Sequence, residues 1–120
     1  MKKIKFKNEF WCIVTARKNS KSIKRKNTVK IKGKELIKFS FDEIIKLKKN
    51  IKKTIVTTDD PIIKKISKKY KFEVLHRETK LSGDLINSVD VVIDVLNKSI
   101  ETHGYLPKFF FLIQPTSIFL

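Results

Sequence analysis

"TIVTTDDPIIKKISKKYKFEVLH", residues 54–76, holds two apolar runs separated by one amphipathic stretch, and its reading decides the fold. The opening "TIVTT" is β-branched throughout, which suits a pleated strand better than a helix. Asp60 then stands where a helix N-cap belongs, and Pro61 falls at the first helical position, where its missing N–H is not needed. Ile62, Ile63, Ile66 and Tyr70 recur at helical spacing and are expected to form the buried face of that helix. "FEVLH" returns to an extended apolar run. Strand, helix and strand in this order imply a parallel pair joined by a crossover helix.

The same alternation extends in both directions. "FWCIVT", residues 10–15, is bulky and almost wholly apolar, and reads as a central strand buried on both faces. Leu36, Ile37, Phe41, Ile44 and Ile45 mark a helix from about Glu35 to Lys49. "DLINSVDVVIDVLNKSI", residues 84–100, is a helix capped by Asp84, with Leu85, Ile86, Val89, Val92, Ile93, Leu96 and Ile100 in one stripe. After a turn from Gly104 to Pro107, "FFFLIQ" reads as a further buried strand, with Trp11, Phe109 and Phe110 filling the core. The expected fold class is α/β: a parallel sheet with strands near 10–15, 53–58, 72–76 and 109–114, covered by helices on both faces.

The 120 residues are 41% hydrophobic, enough for one compact domain spanning 1–120. There are 28 Lys and Arg against 12 Asp and Glu, a formal charge of +16, which favours polyanionic partners without choosing among them. Lys supplies nearly all of that charge. Arg occurs only at 17, 25 and 77, so those positions carry more information. Cys12 is the single cysteine and lies inside an apolar run, which excludes an internal disulfide and points to a reducing compartment, the cytoplasm. No apolar run approaches the length of a membrane span, and no signal peptide is expected.

Ligands of parallel α/β sheets bind where strands end at their carboxyl edge. Polar clusters follow every expected strand: 16–27, 57–60, 76–84 and 114–117. The first is "ARKNSKSIKRKN", rich in cations and free of acids. Neither GxGxxG nor GxxxxGK[ST] is present, which excludes the two common glycine-rich phosphate loops. A turn after a strand can still cradle phosphate through its backbone N–H groups, with Arg17, Lys21 and Lys26 offsetting charge and Ser20 and Asn27 donating hydrogen bonds. Asp60 reads as a cap, with Asp59 beside it. His76 and His103 carry no partner pattern for a metal or a general base, so exposure or local hydrogen bonding is expected of both.

The loop also resembles the signature of acylneuraminate cytidylyltransferases, in which Ala-Arg-x-Gly/Asn-Ser-Lys-Gly-x-Pro-x-Lys-Asn follows the first strand. "IVTTDD" is similar to that family's Val-Ser-Thr-Asp segment, "HRETKLSGD" to its Arg-Pro-x-x-Leu-x-x-Asp segment, "NSVDVV" to the helix after it, and "FLIQPTS" to its Leu-Gln-Pro-Thr-Ser-Pro segment. The resemblance implies a three-layer α/β/α, Rossmann-like (GT-A-like) nucleotidyltransferase with a mostly parallel sheet in the order 3-2-1-4. It implies that Arg17, Ser20, Lys21, Lys26 and Asn27 grip the phosphates and sugar of CTP, with Arg17, Lys21 and Lys26 as the catalytic cations. Arg77 and Ser88 fall near cytosine and Gln114 near a nonulosonic (sialic-type) acid. The implied reaction couples that acid to CMP and releases pyrophosphate with Mg²⁺ as cofactor, in an enzyme that dimerises at full length.

The chain departs from the family at several points. Ser22 replaces Gly, Lys24 and Glu78 each stand in place of Pro, and "SIFL" replaces Ser-Pro-Leu-Arg. The family's metal-binding aspartates, remaining sugar contacts and dimer element lie beyond its matching half, so this sequence resembles an amino-terminal, truncated portion and no metal ligand is assigned. Two other functions compete: a basic nucleic-acid-binding module, and a non-catalytic nucleotide-binding remnant. The first would need Trp11, Phe109 and Phe110 exposed as stacking surfaces.

Overall fold

A computed structural model describes residues 3–16, 30–47, 49–76 and 88–114. In chain order the elements are β1 (Phe6–Thr15), β2 (Lys30–Ile31), β3 (Lys34–Glu35), α1 (Leu36–Lys46), β4 (Lys53–Thr58), α2 (Pro61–Lys69), β5 (Glu73–His76), α3 (Ser88–His103) and β6 (Leu106–Ile113). Four strands form one sheet in the order β5-β4-β1-β6, and every pair is parallel. This is the expected order 3-2-1-4.

Alternation along β1 creates the layers. Cys12, Val14 and Ala16 face Ile37, Phe41 and Ile44 of α1 and Ile63 and Ile66 of α2. Trp11 and Ile13 face the other way, against Val95 and Leu96 of α3. Helices on both faces leave Trp11, Cys12, Ile13 and Val14 fully buried, which is why this strand reads as a continuous apolar run. The thiol of Cys12 is pushed up to about 12 by that burial.

Local chemistry sets the boundaries. Asp60 caps α2 by accepting from the Ile62 N–H on Oδ1 at 2.9 Å, with Pro61 in the first turn. At the other end of α2, Lys71 adopts a left-handed φ of 62°, while the Lys71 and Phe72 N–H groups donate to Lys68 and Ser67 carbonyls. These paired bonds satisfy carbonyls the helix leaves open. Before α1, β2 and β3 form a hairpin whose two turn residues, Lys32 and Gly33, both have positive φ. That geometry matches the right-handed twist of a hairpin and favours glycine. The sequence reading did not anticipate this hairpin, and α1 ends at Lys46 rather than near Lys49. Lys34 pairs with Asp42, which also accepts from Tyr70 Oη at 2.7 Å. The Lys34 hydrogen bond holds the Asp42 carboxyl below its ordinary range, and burial, aided by Asp42, pushes Tyr70 up to about 12.

Strand β1 begins at Phe6, earlier than expected, because Glu9 is accommodated within it. Glu9 Oε1 accepts from Trp11 Nε1 and from Tyr105 Oη, each at 3.0 Å. Beside it, His103 Nε2 lies 2.8 Å from Glu73 Oε1, and Lys53 Nζ lies 3.7 Å from the same oxygen. These contacts fasten the end of α3 to the amino edge of the sheet. His103 thus has the local hydrogen bonding expected of it.

Three burial expectations also fail. In α3 the buried positions are Val91, Val95 and Ser99, while Val89 and Ile93 of the expected stripe are exposed. Ile45 and Ile62 face outward on α1 and α2. Most consequentially, Phe109 and Phe110 do not fill the core: they are 54% and 40% exposed, because β6 lies at the sheet edge and the helices pack chiefly over β1 and β4.

Candidate functional site

Parallel pairing places the ends of β1, β4, β5 and β6 on one carboxyl edge. The helices run back from that edge toward the starts of the following strands, so the amino ends of α1, α2 and α3 also gather there. Each helix amino end carries partial positive charge and N–H groups without intrahelical partners, which favour an anion. The sheet edge is thus electropositive before any side chain is counted.

The floor of this edge is built by β1 and β4. Ala16, immediately after β1, is buried and donates its N–H to the Thr57 carbonyl at 3.1 Å. Thr57, Thr58 and Asp60 are fully buried. Thr58 Oγ1 accepts from the Asp60 N–H at 3.0 Å, while Asp60 caps α2, so the turn from β4 into α2 is held by interlocking side-chain bonds. The hydroxyl of Thr57 is buried with no hydrogen-bond partner among the described residues. At the end of β5, His76 lies 2.7 Å through Nδ1 from Lys64 Nζ of α2, and its carbonyl accepts from Lys98 Nζ of α3 at 2.8 Å. The strand end is therefore tied to both helical layers, and His76 has the local hydrogen bonding expected of it.

The sequence-predicted residues fall unevenly on this frame. Arg17, Ser20, Lys21, Lys26 and Asn27 follow Ala16 in the sequence but lie outside the described residues, as do Arg77 and the expected cap Asp84. Ser88 begins α3, and Gln114 follows β6 with an exposed side chain. Their backbones share the carboxyl edge. Thr57 and Thr58 were legible only as part of a polar cluster; their burial needed the register of β1 and β4. Among the described residues no three His, Cys, Asp or Glu side chains come together as a metal-holding group. Asp60 is engaged by its cap, so the described edge does not supply a donor set for Mg²⁺.

Comparison with known proteins follows the same lines. A family model for cytidylyltransferases matches residues 11–118. No curated protein matches the chain. The solved structure of CMP:2-keto-3-deoxy-manno-octonic acid synthetase complexed with CTP is similar in fold, with a TM-score of 0.64 at 16% identity. The likeness covers 92% of this chain and 44% of that one, so this chain spans less than half the length of its structural relative. No helix among the described residues is long and apolar enough to cross a membrane.

Proposed function

Because this chain belongs to the cytidylyltransferase family, we propose that its carboxyl edge binds CTP and forms the nucleotide side of a site that makes a CMP-sugar. The observation that carries this reading is the match over residues 11–118, which includes the carboxyl ends of all four sheet strands. In this reading Arg17, Lys21 and Lys26 hold the phosphates, Ser20 and Asn27 donate to phosphate and sugar, and Arg77 and Ser88 lie toward cytosine. The amino ends of the three helices add fixed positive potential to those cations.

The acceptor is a 2-keto-3-deoxy sugar acid, the class that includes the octonic acid of the structural relative. The finer proposal is a nonulosonic acid of sialic type, met by Gln114. Its anomeric hydroxyl oxygen forms a bond to the α-phosphorus, the bond from that phosphorus to the bridging oxygen breaks, and pyrophosphate leaves as the hydroxyl proton passes to solvent. Chemistry of this kind depends on alignment and charge stabilisation more than on a protein nucleophile. Mg²⁺, when bound, would supply neutralisation of phosphate charge. The test is CTP affinity measured against ATP, GTP and UTP, followed by pyrophosphate release with each candidate sugar acid.

The exposure of Phe109 and Phe110 keeps one competing reading open, a basic nucleic-acid module. Trp11 offers that module nothing, being fully buried. Neighbouring residues of a strand alternate in face, so Phe109 and Phe110 do not form one platform, and Phe109 is already stacked on Phe10 at 5.5 Å. Steep salt-dependent binding to single strands, with no preference for CTP, would favour the module.

A further inference from the structure

At the edge of the sheet opposite the carboxyl edge, where β4 and β5 begin and α1 and α2 end, lies a cavity of about 250 Å³. Ile44, Ile51 and Phe72 form its floor, the exposed Ile45 its rim, and Lys52 and Lys71 complete the lining. Its walls are held before any ligand arrives. Phe72 meets the Phe41 ring edge-on at 5.0 Å and lies 5.6 Å from the Tyr70 ring, whose Oη is bonded to Asp42. Ile44 and Ile51 belong to the buried core. A preformed apolar cavity binds without first having to order its lining.

Charge selects the ligand. Lys52 and Lys71 stand in the turns that lead into the neighbouring strands β4 and β5, with their backbone N–H groups bonded to the Phe10 and Lys68 carbonyls at 2.8 and 3.0 Å. Both residues are exposed, and neither forms an ion pair with a described residue. The one carboxylate at the cavity, Glu73, pairs in register with Ile55 and so turns toward α3, where its Oε1 lies 2.8 Å from His103 Nε2 and 3.7 Å from Lys53 Nζ. Two uncompensated ammonium groups thus flank an apolar floor. Polyphosphate is not the matching anion. The carboxyl ends of α1 and α2 border the cavity and carry partial negative charge, whereas the helix amino ends lie at the other edge. The volume also falls below the about 300 Å³ at which pockets for drug-sized ligands begin. We propose that this cavity binds a small apolar monocarboxylate, an acid whose single ring or branched chain fills the floor while its carboxylate meets Lys52 and Lys71. The site is separate from the carboxyl edge, and the proposal does not rest on CTP binding.

Titration of the whole chain with phenylacetate, followed by amide nitrogen–proton NMR, tests it. Phenylacetate should bind with a Kd of about 1 mM or tighter, giving saturating shifts at the amides of residues 51–54 and 70–73. Phenylacetamide, alike in shape but uncharged, and acetate, charged but without the ring, should each bind at least about tenfold more weakly. Lys52→Met and Lys71→Met should each weaken phenylacetate about tenfold. Lys65→Met, which removes the same charge from an exposed position on α2 outside the cavity, should leave its binding unchanged. If a variant fails to fold, the comparison of phenylacetate with its two analogues on the wild-type chain decides the matter. Absence of saturating shifts at these amides up to about 10 mM phenylacetate would overturn the proposal. So would equal binding of phenylacetate and either analogue, equal losses in all three variants, or displacement of phenylacetate by CTP. A chain that fails to bind CTP can still pass this test.

Discussion

The Ala16 N–H donates to the Thr57 carbonyl at 3.1 Å, joining β1 to β4 at the point where the cationic loop departs. Arg17 is the next residue. The proposed function gives Arg17 a phosphate to hold, whereas Lys24, seven residues further on, stands at a position where the family has proline. Arg17→Ala should therefore weaken CTP binding by about 1.5–3 kcal/mol, the range for a charge-assisted hydrogen bond, and Lys24→Ala by much less. Isothermal calorimetry on both variants checks this. Equal losses would mean that diffuse charge, not loop position, drives binding.

Asp60→Ala removes a buried cap from α2 and should lower stability by about 1–2 kcal/mol in urea unfolding. Asp60→Asn keeps an oxygen at the same position and should recover most of the loss. If both variants unfold at the same urea midpoint, the capping assignment is wrong.

Thr57→Val exchanges a buried hydroxyl that has no partner among the described residues for a methyl of similar size. Removing an unsatisfied polar atom should stabilise the ligand-free chain by about 1 kcal/mol, although this swap usually costs stability where the hydroxyl is bonded. A destabilised variant would show that the hydroxyl is satisfied in solution.

Cys12 is fully buried, and burial pushes its thiol up to about 12. The reactive thiolate should thus be scarce up to about pH 10, so native protein should resist a thiol reagent there while urea-unfolded protein reacts at once. Rapid labelling of folded chain at pH 8 would contradict the central placement of β1.

Much of this architecture was legible in the sequence because its signals are local. The β-branched run of β4, the Asp-Pro start of α2 and the unbroken apolar run of β1 each specify one conformation. The order of strands came from the family resemblance. Burial was less legible where it depends on what lies alongside an element. Phe109 to Leu112 read as core because the run is apolar on both faces, yet an edge position leaves it uncovered. The stripe of α3 rotated toward Val91 and Val95 because several apolar residues on that helix fit more than one face. The β2–β3 hairpin was missed because two-residue strands are too short to show a period, although Gly33 after Lys32 is a turn signal. For the site, the spacing of polar clusters after strands gave the carboxyl edge. The burial of Thr57 and Thr58 required the pairing itself.

Calorimetric titration of the whole chain with CTP, ATP, GTP and UTP, each with and without Mg²⁺, bears on the proposed function without any variant. A pocket built around cytosine's polar edge leaves groups unpaired when a purine enters, so CTP should bind at least about tenfold more tightly than ATP or GTP. The preference should persist as salt rises, since it resides in the base and not in the phosphates. Equal affinity for all four nucleotides, falling together with salt, would contradict a cytidine site and leave only a basic surface attracting polyphosphate.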